Sequence, residues 1–386
     1  MTDKFATGFV ANKKPNKHKL FCRLPFTEIS ISPNGDITPT CCPDWVDIKL
    51  GNILEKSWQD IWNGPESKSL RRSTFDGSLS HCSSEWCPAI QSADNGFDSA
   101  NVFRHEDINS AYARDPELKK IFEAKQESVA FAPKTVNLIY DRSCNLRCPS
   151  CRDEILKLND EETKMLNQIH EVVTKDVVKY AETLTMGGTG DPIASPVLRQ
   201  FLISIEKQNF PNLKVLGLQT NAQLLTPKLW DKMKGVQEIE HFSLEVSIDA
   251  ATSPTYDIVR PPGKWEPLMD NLRFIKEIDN LGMLIISFVV QETNYHEMLQ
   301  FIKLGEYLSS FGKKTPVKVM FYQIRSWGQF TKEGYQTKQV QNVEHPLHEN
   351  FLKVLKGVEE KRIENFRNNR LPMIEHNFPY NDLIKS

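Results

Sequence analysis

The sequence predicts an α/β protein, because strand-like and helix-like segments alternate through its central part. Six short runs rich in β-branched and aromatic residues lie between positions 135 and 322, and amphipathic stretches separate them. Such alternation requires a parallel sheet with right-handed crossovers. The pattern alone is compatible with a barrel or with an open doubly wound sheet. In both architectures, the active-site residues lie at the carboxyl ends of the strands.

The predicted elements have clear limits in the sequence. The predicted strands are 135–140, 184–186, 214–220, 242–248, 284–290 and 317–322. The predicted helices are 160–180, 196–207, 227–234, 266–280 and 297–309. On the first helix, the apolar spacing predicts a buried face made of Met165, Ile169, Val172, Val173, Val177 and Tyr180. A charged helix is predicted within 340–369, and residues 371–386 either cap this architecture or remain loose.

The composition excludes several classes of protein. With 386 residues, of which 39% are hydrophobic, the chain is long enough for a large core and for more than one domain. Its 48 basic residues nearly balance its 50 acidic ones. The net charge therefore does not favour nucleic acid or an anionic membrane as a partner. No apolar stretch reaches the roughly 20 residues of a membrane span, and residues 1–19 lack the apolar core of a signal peptide. We therefore expect a cytoplasmic protein.

Three of the eight cysteines form a short motif directly after the first predicted strand. Cys144, Cys148 and Cys151 have a C-x3-C-x2-C spacing. Three thiolates from one loop can hold three corners of an iron–sulfur cubane and leave the fourth iron without a protein ligand. Inert buried thiols and a zinc site are the alternatives, although zinc would require a fourth ligand.

The other five cysteines lie within the first ninety residues. A β-hairpin is predicted at 27–32 and 37–40, around the turn sequence Pro-Asn-Gly-Asp, and Ser57 is the predicted N-cap of a helix through Trp58. These elements bring four or five sulfurs towards one point, and a metal would add stability to a small segment. The sulfurs are Cys22, Cys41, Cys42, Cys82 and Cys87. Ligand type alone does not separate an iron–sulfur cluster from zinc.

Polar residues and glycines follow several of the predicted strands. Gly187 and Gly188 would let a ligand approach the backbone after the second strand, and Asp191 follows them. Arg260 is a candidate for carboxylate recognition or for a structural ion pair. Further candidates at strand ends are Gln219, Asn221, Ser247, Asp249, Gln291, Asn294, Gln323 and Arg325.

With these motifs, residues 134–327 resemble the radical S-adenosylmethionine (SAM) superfamily. The resemblance implies a partial (β/α)6 TIM-type barrel, with a small N-terminal cysteine-rich hairpin and helix module before it. It also implies that the amino and carboxylate groups of SAM chelate the open iron of a 4Fe-4S cluster held by Cys144, Cys148 and Cys151. The SAM contacts that it implies in this sequence are Gly187, Gly188, Asp191, Ser247, Asp249 and Val289.

The N-terminal segment resembles the SPASM/twitch module of the same superfamily, which binds an auxiliary 4Fe-4S cluster. The residues that carry this resemblance are F-C-R-L-P-F, I-S-P-N-G-D, L-G-N-I-L and the cysteine pair at 82 and 87. It implies Cys22, Cys82 and Cys87 as ligands, together with Cys41 or Cys42, of which Cys41 is the first choice. The expected domains are a module at 1–90, a connector at 91–133, the barrel at 134–328 and a helical extension at 329–386.

The resemblance also sets the expected activity. Electron transfer to SAM would yield a 5′-deoxyadenosyl radical, which abstracts hydrogen from a peptide, a protein side chain or a sugar-like substrate. The expected partners are SAM, that substrate and a reductant such as flavodoxin or ferredoxin, without nucleic acid or membrane. No catalytic side chain is assigned from the sequence. The alternative is a non-catalytic iron–sulfur or zinc-binding electron-transfer protein.

Overall fold

The computed structural model of the chain describes residues 16–39, 45–84, 87–95, 99–107, 116–326 and 329–378. The predictions for Cys41 and Cys42 lie outside the described residues. In the described part of the chain, no helix is both long enough and apolar enough to cross a membrane.

A large sheet dominates the fold, and a two-stranded sheet accompanies it. The described strands are β1 Leu20–Cys22, β2 Glu28–Ile31, β3 Asp36–Thr38, β4 Gly51–Asn52, β5 Val102–Arg104, β6 Thr135–Leu138, β7 Thr183–Met186, β8 Val215–Thr220, β9 His241–Ser247, β10 Leu281–Val290, β11 Val317–Gln323 and β12 Met373–His376. All six predicted strands are therefore present as β6 to β11, with ends that differ by up to three residues.

The helices fill most of the connections between these strands. The described α-helices are α1 Leu24–Thr27, α2 Trp58–Trp62, α3 Pro65–Phe75, α4 Pro88–Asp94, α5 Pro116–Glu123, α6 Asp160–Val172, α7 Pro196–Ser204, α8 Pro227–Trp230, α9 Lys234–Gln237, α10 Ser253–Val259, α11 Trp265–Ile275, α12 Met298–Ser309, α13 Lys332–Gln336 and α14 His348–Arg367. As predicted, Ser57 caps α2, because its hydroxyl accepts a hydrogen bond from the backbone N–H of Asp60.

The strand order of the large sheet can be compared with the two predicted architectures, a barrel and an open doubly wound sheet. The order is β12-β11-β10-β9-β8-β7-β6-β2-β3-β4, and the neighbours from β2 to β12 are parallel. Each strand from β6 onwards is thus added on the same side of its predecessor. A doubly wound sheet would reverse its order at a switch point, and this sheet does not. With right-handed crossovers in one direction, the helices lie on one face.

The strands from β8 to β11 have two unlike faces. In β9, Phe242, Leu244 and Val246 are buried, whereas Ser243 and Glu245 between them remain partly exposed. Burial alternates in the same way along β8 and most of β11. The buried side chains belong to the main hydrophobic core. We call the other side, which carries Ser243, Glu245 and Ser247 on β9, the open face.

The N-terminal hairpin is part of the large sheet. β2 pairs in parallel with β6, so that Ser30 lies opposite Asn137, and β3 and β4 extend the sheet beyond it. The physical reason is the burial of Ile29 and Ile31 in the main core. Cys22, by contrast, ends β1, which pairs with β5 from the predicted connector.

Two further elements differ from the expectation. The helix predicted at 160–180 is α-helical only to Val172 and continues as a π-helical turn and a 3₁₀ turn. Met165 and Tyr180 are 38% and 40% exposed, since Leu166, not Met165, aligns with the buried Ile169 and Val173. The C-terminal segment contributes an unpredicted strand, β12, whose Ile374 is buried beside β11.

Candidate functional site

The three-cysteine loop begins after β6 and is held by residues from distant parts of the chain. Asp141 starts the loop: one of its carboxylate oxygens accepts a hydrogen bond from the backbone N–H of Ser143 at 2.8 Å, and the other accepts one from the hydroxyl of Ser195. The backbone N–H of Arg147 donates to the carbonyl of Pro261 at 2.8 Å. The loop is therefore anchored to the segments that follow β7 and β9.

Each of the three sulfurs accepts an N–H hydrogen bond. The backbone N–H of Leu146 donates to the sulfur of Cys144 at 3.5 Å. Arg260 Nη1 donates to Cys148 at 3.6 Å, and Arg152 Nε donates to Cys151 at 3.4 Å. Burial raises the pKa of the Cys148 thiol to about 11. A thiol with such a pKa is protonated at neutral pH unless a metal or a cation stabilises the thiolate. The two guanidinium groups supply part of that stabilisation.

The donor set of this loop fits an iron–sulfur cluster. Three soft sulfur ligands come from one eight-residue segment, two Arg side chains lie beside them, and the amide of Asn221 lies 3.9 Å from the sulfur of Cys144. In the part of the chain that the structure describes, no group of three or more His, Cys, Asp or Glu side chains is arranged to hold a single metal ion. The fit therefore rests on the chemistry and spacing of the thiols.

A buried ion pair lies directly beside Cys148. Asp249 Oδ2 is 2.6 Å from Arg260 Nη2, and their side chains are 0% and 12% exposed. The other oxygen of Asp249 accepts a hydrogen bond from the backbone N–H of Val289 at 2.7 Å. One oxygen of Asp249 thus faces Arg260 and the other a backbone N–H. The SAM contact of Asp249 stays a prediction. Arg260 forms a structural ion pair with Asp249, which was one of its two predicted roles.

We expect Asp249→Asn to destabilise the protein by about 3–5 kcal/mol, because it leaves the buried Arg260 charge without a counter-ion. Asn keeps the shape of Asp and tolerates the positive φ of 60° at this position. Urea unfolding monitored by circular dichroism measures the change. Asp270→Asn is the control, since it breaks an exposed pair with Arg273 and should cost about 1 kcal/mol or less. Equal losses in the two variants would contradict the prediction.

Asp191 is also part of the framework. Its buried carboxylate accepts hydrogen bonds from the backbone N–H groups of Ile193, Ala194 and Asn221 and from the hydroxyl of Thr220, at 2.8–3.1 Å. Four donors satisfy both of its oxygens. The role of Asp191 as a partner for the amino group of SAM stays a prediction. Its effect is to fasten the end of β8 to the segment that follows β7.

The two glycines after β7 have different surroundings. Both have positive φ angles, 131° at Gly187 and 95° at Gly188. A Cβ atom at Gly187 would lie 2.7 Å from Cβ of Gln219, so glycine there is required by packing. At Gly188 the nearest atoms would be a methyl of Ile139 at 3.6 Å and Oε1 of Gln219 at 4.0 Å. The space in front of Gly188 is open, and a ligand can approach its backbone there.

The other predicted contacts lie at the carboxyl ends of β9 and β10. The hydroxyl groups of Ser247 and Ser287 are 3.4 Å apart on the open face, within hydrogen-bond distance. The side chain of Val289, two residues further along β10, is partly exposed. The carbonyl of Val289 accepts a hydrogen bond from Asn294 at 2.9 Å. Gly188, Ser247 and Val289 thus lie at the same edge of the sheet as the three-cysteine loop.

Gln323 and Arg325, two candidates near the end of β11, contact other parts of the protein. The backbone and side-chain N–H groups of Gln323 donate to Asn377 at 2.8 and 2.7 Å, which ties β11 to the C-terminal segment. The guanidinium of Arg325 lies 4.5 Å from the ring centre of Trp45. This cation–π contact joins the N-terminal segment to the end of β11.

Sequence reasoning missed two residues of this region. Arg152 donates to the carbonyls of Arg142 and Thr189 at 2.9 and 2.8 Å as well as to Cys151. Its position directly after the last cysteine is a signal that could have identified it. Glu245 lies on the open face, two residues before Ser247, and the alternation along β9 is the corresponding signal.

The N-terminal cysteines surround a second, small core. Leu20, Leu79, Ile90, Ala93 and Val102 form this core. Cys22, Cys82 and Cys87 pack against it. Burial and, to a lesser extent, the neighbouring Cys87 raise the pKa of Cys82 to about 12. The three thiols therefore share one apolar environment.

Backbone pairing fixes Cys82 close to the segment that follows the undescribed residues 40–44. Val46 forms a β-bridge with Cys82, and the backbone N–H of Ser83 donates to the carbonyl of Trp45 at 2.9 Å. His81 connects Asp47, at 2.9 Å, with Ser69 of α3, at 3.0 Å. This network holds the loop of Cys82 against α3.

The N-terminal segment matches a known family. Residues 22–88 match the SPASM model, an iron–sulfur cluster-binding domain. The matched segment contains Cys22, Cys41, Cys42, Cys82 and Cys87. No curated protein matches the sequence significantly.

Several solved structures are similar to the chain at low identity. Streptococcus suis SuiB bound to S-adenosylmethionine has 12% identity and a TM-score of 0.43, over 83% of this chain and 63% of that one. SuiB bound to the precursor peptide SuiA has 13% identity and a TM-score of 0.43, over 81% and 62%. TYW1 with a lysine-pyruvate adduct has 17% identity and a TM-score of 0.35, over 56% and 70%.

The chain thus spans less than two thirds of these two SuiB chains. The match of residues 22–88 confirms the predicted SPASM-type module. The three-cysteine loop after β6 lies outside the matched residues.

Proposed function

We propose that this chain is an enzyme that reductively cleaves SAM and uses the resulting 5′-deoxyadenosyl radical to abstract hydrogen from an organic substrate. The observation that carries the proposal is the loop of Cys144, Cys148 and Cys151, which lies at the same sheet edge as Gly188 and Ser247. When bound, a 4Fe-4S cluster on this loop would supply one electron to SAM. A flavodoxin- or ferredoxin-type protein is the proposed reductant.

The chain's own residues position the reactants and compensate charge. Arg152 and Arg260 lie beside two of the three sulfurs and offset the charge of the thiolates. Gly188 leaves its backbone accessible, and Ser247 and Val289 present a hydroxyl and an apolar side chain to a ligand at the strand ends. Asp191 and Asp249 hold these segments in place through their buried hydrogen bonds and ion pair. Preorganisation of this kind is the protein's part in cofactor chemistry.

We further propose that Cys22, Cys82, Cys87 and Cys41 or Cys42 hold one auxiliary 4Fe-4S cluster that assists the redox step of the substrate. The shared burial of the three described thiols around a separate small core supports a common site. The proposed substrates remain a peptide, a protein side chain or a sugar-like molecule. The domain limits at residues 90, 133 and 328 are part of this proposal.

Anaerobic incubation of the reconstituted, dithionite-reduced protein with SAM tests the activity directly. We expect 5′-deoxyadenosine and methionine in equal amounts, detected by liquid chromatography with mass spectrometry. Protein without reductant is the control. A protein that holds both clusters but forms no 5′-deoxyadenosine would be an electron carrier, and the proposed function would be wrong.

We expect Gly188→Ala to weaken SAM binding by at least about tenfold, which corresponds to about 1.4 kcal/mol. The added methyl group points into the open space through which the ligand would approach the backbone. Equilibrium dialysis with labelled SAM measures the affinity. Gly35→Ala is a matched control, since its φ of 84° imposes similar backbone strain in the distant hairpin turn. If both variants bind SAM as the native protein does, Gly188 is not part of the site.

A further inference from the structure

The open face carries a carboxylate among neutral polar side chains. Glu245 lies in the middle of β9, next to Gln219 of β8, whose amide donates to it at 3.4 Å. The side chains of Ser287 on β10 and Tyr322 on β11 also hydrogen-bond to Glu245. Four neighbouring strands therefore contribute to one polar cluster, which we call the Glu245 cluster. None of the roles assigned above uses it.

Among the described residues, the charge of Glu245 has no partner of opposite sign. In the described part of the chain, no Lys, Arg or His forms an ion pair with this carboxylate. Lys318 is the basic residue in the same row of side chains, but it lies two strands away and pairs with Glu375 at 2.8 Å. Arg260 is committed to Asp249 at 2.6 Å. A partly buried carboxylate with only neutral donors is an incomplete arrangement, because charges removed from water are normally paired.

A ligand can reach this cluster. Gln219, Glu245 and Tyr322 all remain partly exposed, although the alternate residues of their strands are buried. Glu245 also lies close to the proposed SAM contacts. Two residues along a strand span about 6.6 Å, so a group bound at Glu245 is adjacent to a ligand at Ser247. Ser287 connects the two positions, since its hydroxyl contacts both Ser247 and Glu245.

We propose that the Glu245 cluster is a substrate subsite that binds a cationic group, a primary ammonium or a guanidinium, beside the SAM site. Such a group completes the coordination of the carboxylate with charge-assisted hydrogen bonds, which are about twice as strong as neutral ones. An anionic group is repelled by Glu245, and a neutral group leaves its charge uncompensated. The inference rests on the proposed function and narrows its substrates to those with a basic group near the reacting carbon.

The same arrangement has a consequence for stability. Burial raises the pKa of Glu245, while hydrogen bonds from Ser287, Tyr322 and Gln219 oppose the shift; the charged groups that face it are Asp249 and the paired Lys318. A carboxyl whose pKa is raised by folding costs stability as pH increases above its unfolded-state value. Glu245→Gln should therefore raise the melting temperature at pH 8, and the gain should shrink towards pH 5. A residue that serves only to hold the fold together would give a loss instead.

The test uses the reconstituted full-length protein with SAM and two small probes. N-acetyl-lysine methylamide carries an ammonium group, and N-acetyl-norleucine methylamide has nearly the same shape without the charge. We expect the lysine probe at 100 times its dissociation constant to raise the native melting temperature measurably, since binding at that ratio stabilises strongly. The norleucine probe should have little effect. In Glu245→Gln the difference between the probes should disappear, with the dissociation constant for SAM unchanged within about twofold.

Two further variants serve as controls. Glu240→Gln removes an exposed carboxylate immediately before β9 and should bind both probes as the native protein does. Glu245→Asp keeps the charge on a shorter side chain, so it should retain the preference for the lysine probe with weaker binding. This variant carries the test if Glu245→Gln does not fold.

Three results would overturn the inference. The first is equal stabilisation of the native protein by the two probes, and the second is an unchanged preference in Glu245→Gln. The third is a tenfold or larger loss of SAM affinity in Glu245→Gln, because the carboxylate would then serve SAM and not the substrate. The proposed function is checked separately. Substrate-free formation of 5′-deoxyadenosine should persist in Glu245→Gln, so a failed inference is distinguishable from a failed function.

Discussion

Replacing Cys144, Cys148 and Cys151 together by Ala is expected to abolish 5′-deoxyadenosine formation and to leave about half of the iron, since two sets of thiolates are proposed to hold separate clusters. The physical reason is that these thiols are the proposed ligands of the site at the edge where SAM is proposed to bind. Arg152 and Arg260 remain in the variant, but they have no thiolate charge to offset. Iron and sulfide analysis, together with the SAM-cleavage assay, measures both effects.

Ser150→Ala is the matched control for this variant. Ser150 lies between two of the cysteines in the same loop, and its backbone carbonyl, which the substitution keeps, accepts the hydrogen bond from Gln329. The control should retain all its iron and its activity. Loss of nearly all iron in the triple variant, or full activity without the three thiols, contradicts the assignment of two independent sites.

Replacing Cys82 and Cys87 by Ala should remove the other half of the iron but preserve 5′-deoxyadenosine formation. The two cysteines pack against the small core of Leu20, Leu79 and Val102, whereas the central loop follows β6. Because the sites use different parts of the chain, loss of one should not dismantle the other. Formation of modified product should cease once a substrate is supplied, because the auxiliary cluster is proposed to assist the substrate's redox step.

Electron paramagnetic resonance of the reduced protein separates these effects. In the Cys82 and Cys87 variant, the remaining signal should still change when SAM is added, because the open iron belongs to the central cluster. Ser80→Ala, an exposed substitution in the same loop, is the control and should keep both signals. Metal also stabilises small segments, so circular dichroism must first show that the variant is folded. Zinc in the native N-terminal site, or a native rate of product formation in the variant, would disprove the redox role.

Much of the fold follows from local patterns in the sequence. The six central strands are recognisable because β-branched residues alternate with helical segments, and Ser57 is recognisable as an N-cap by its position before Trp58. Non-local pairing limits such reasoning. The hairpin at β2 and β3 has an ordinary turn sequence, yet its edge pairs with β6 more than a hundred residues later. The same limit explains why β12 was missed, since its strand conformation depends on the exposed edge of β11.

Some features of the candidate site also follow from local sequence, and others depend on contacts between distant residues. The sequence alone determined the chemistry of the ligands, because three thiols at a C-x3-C-x2-C spacing and two glycines after a strand are local features. Only the tertiary structure shows which groups lie beside the carboxylates. Asp191 and Asp249 follow strands as site residues do, and they contact Asn221 and Arg260 from other segments. Glu245 remains on the open face with no cationic side chain beside it among the described residues. These hydrogen bonds and ion pairs form between residues that are distant in the sequence. Which partner each carboxylate finds therefore depends on the fold.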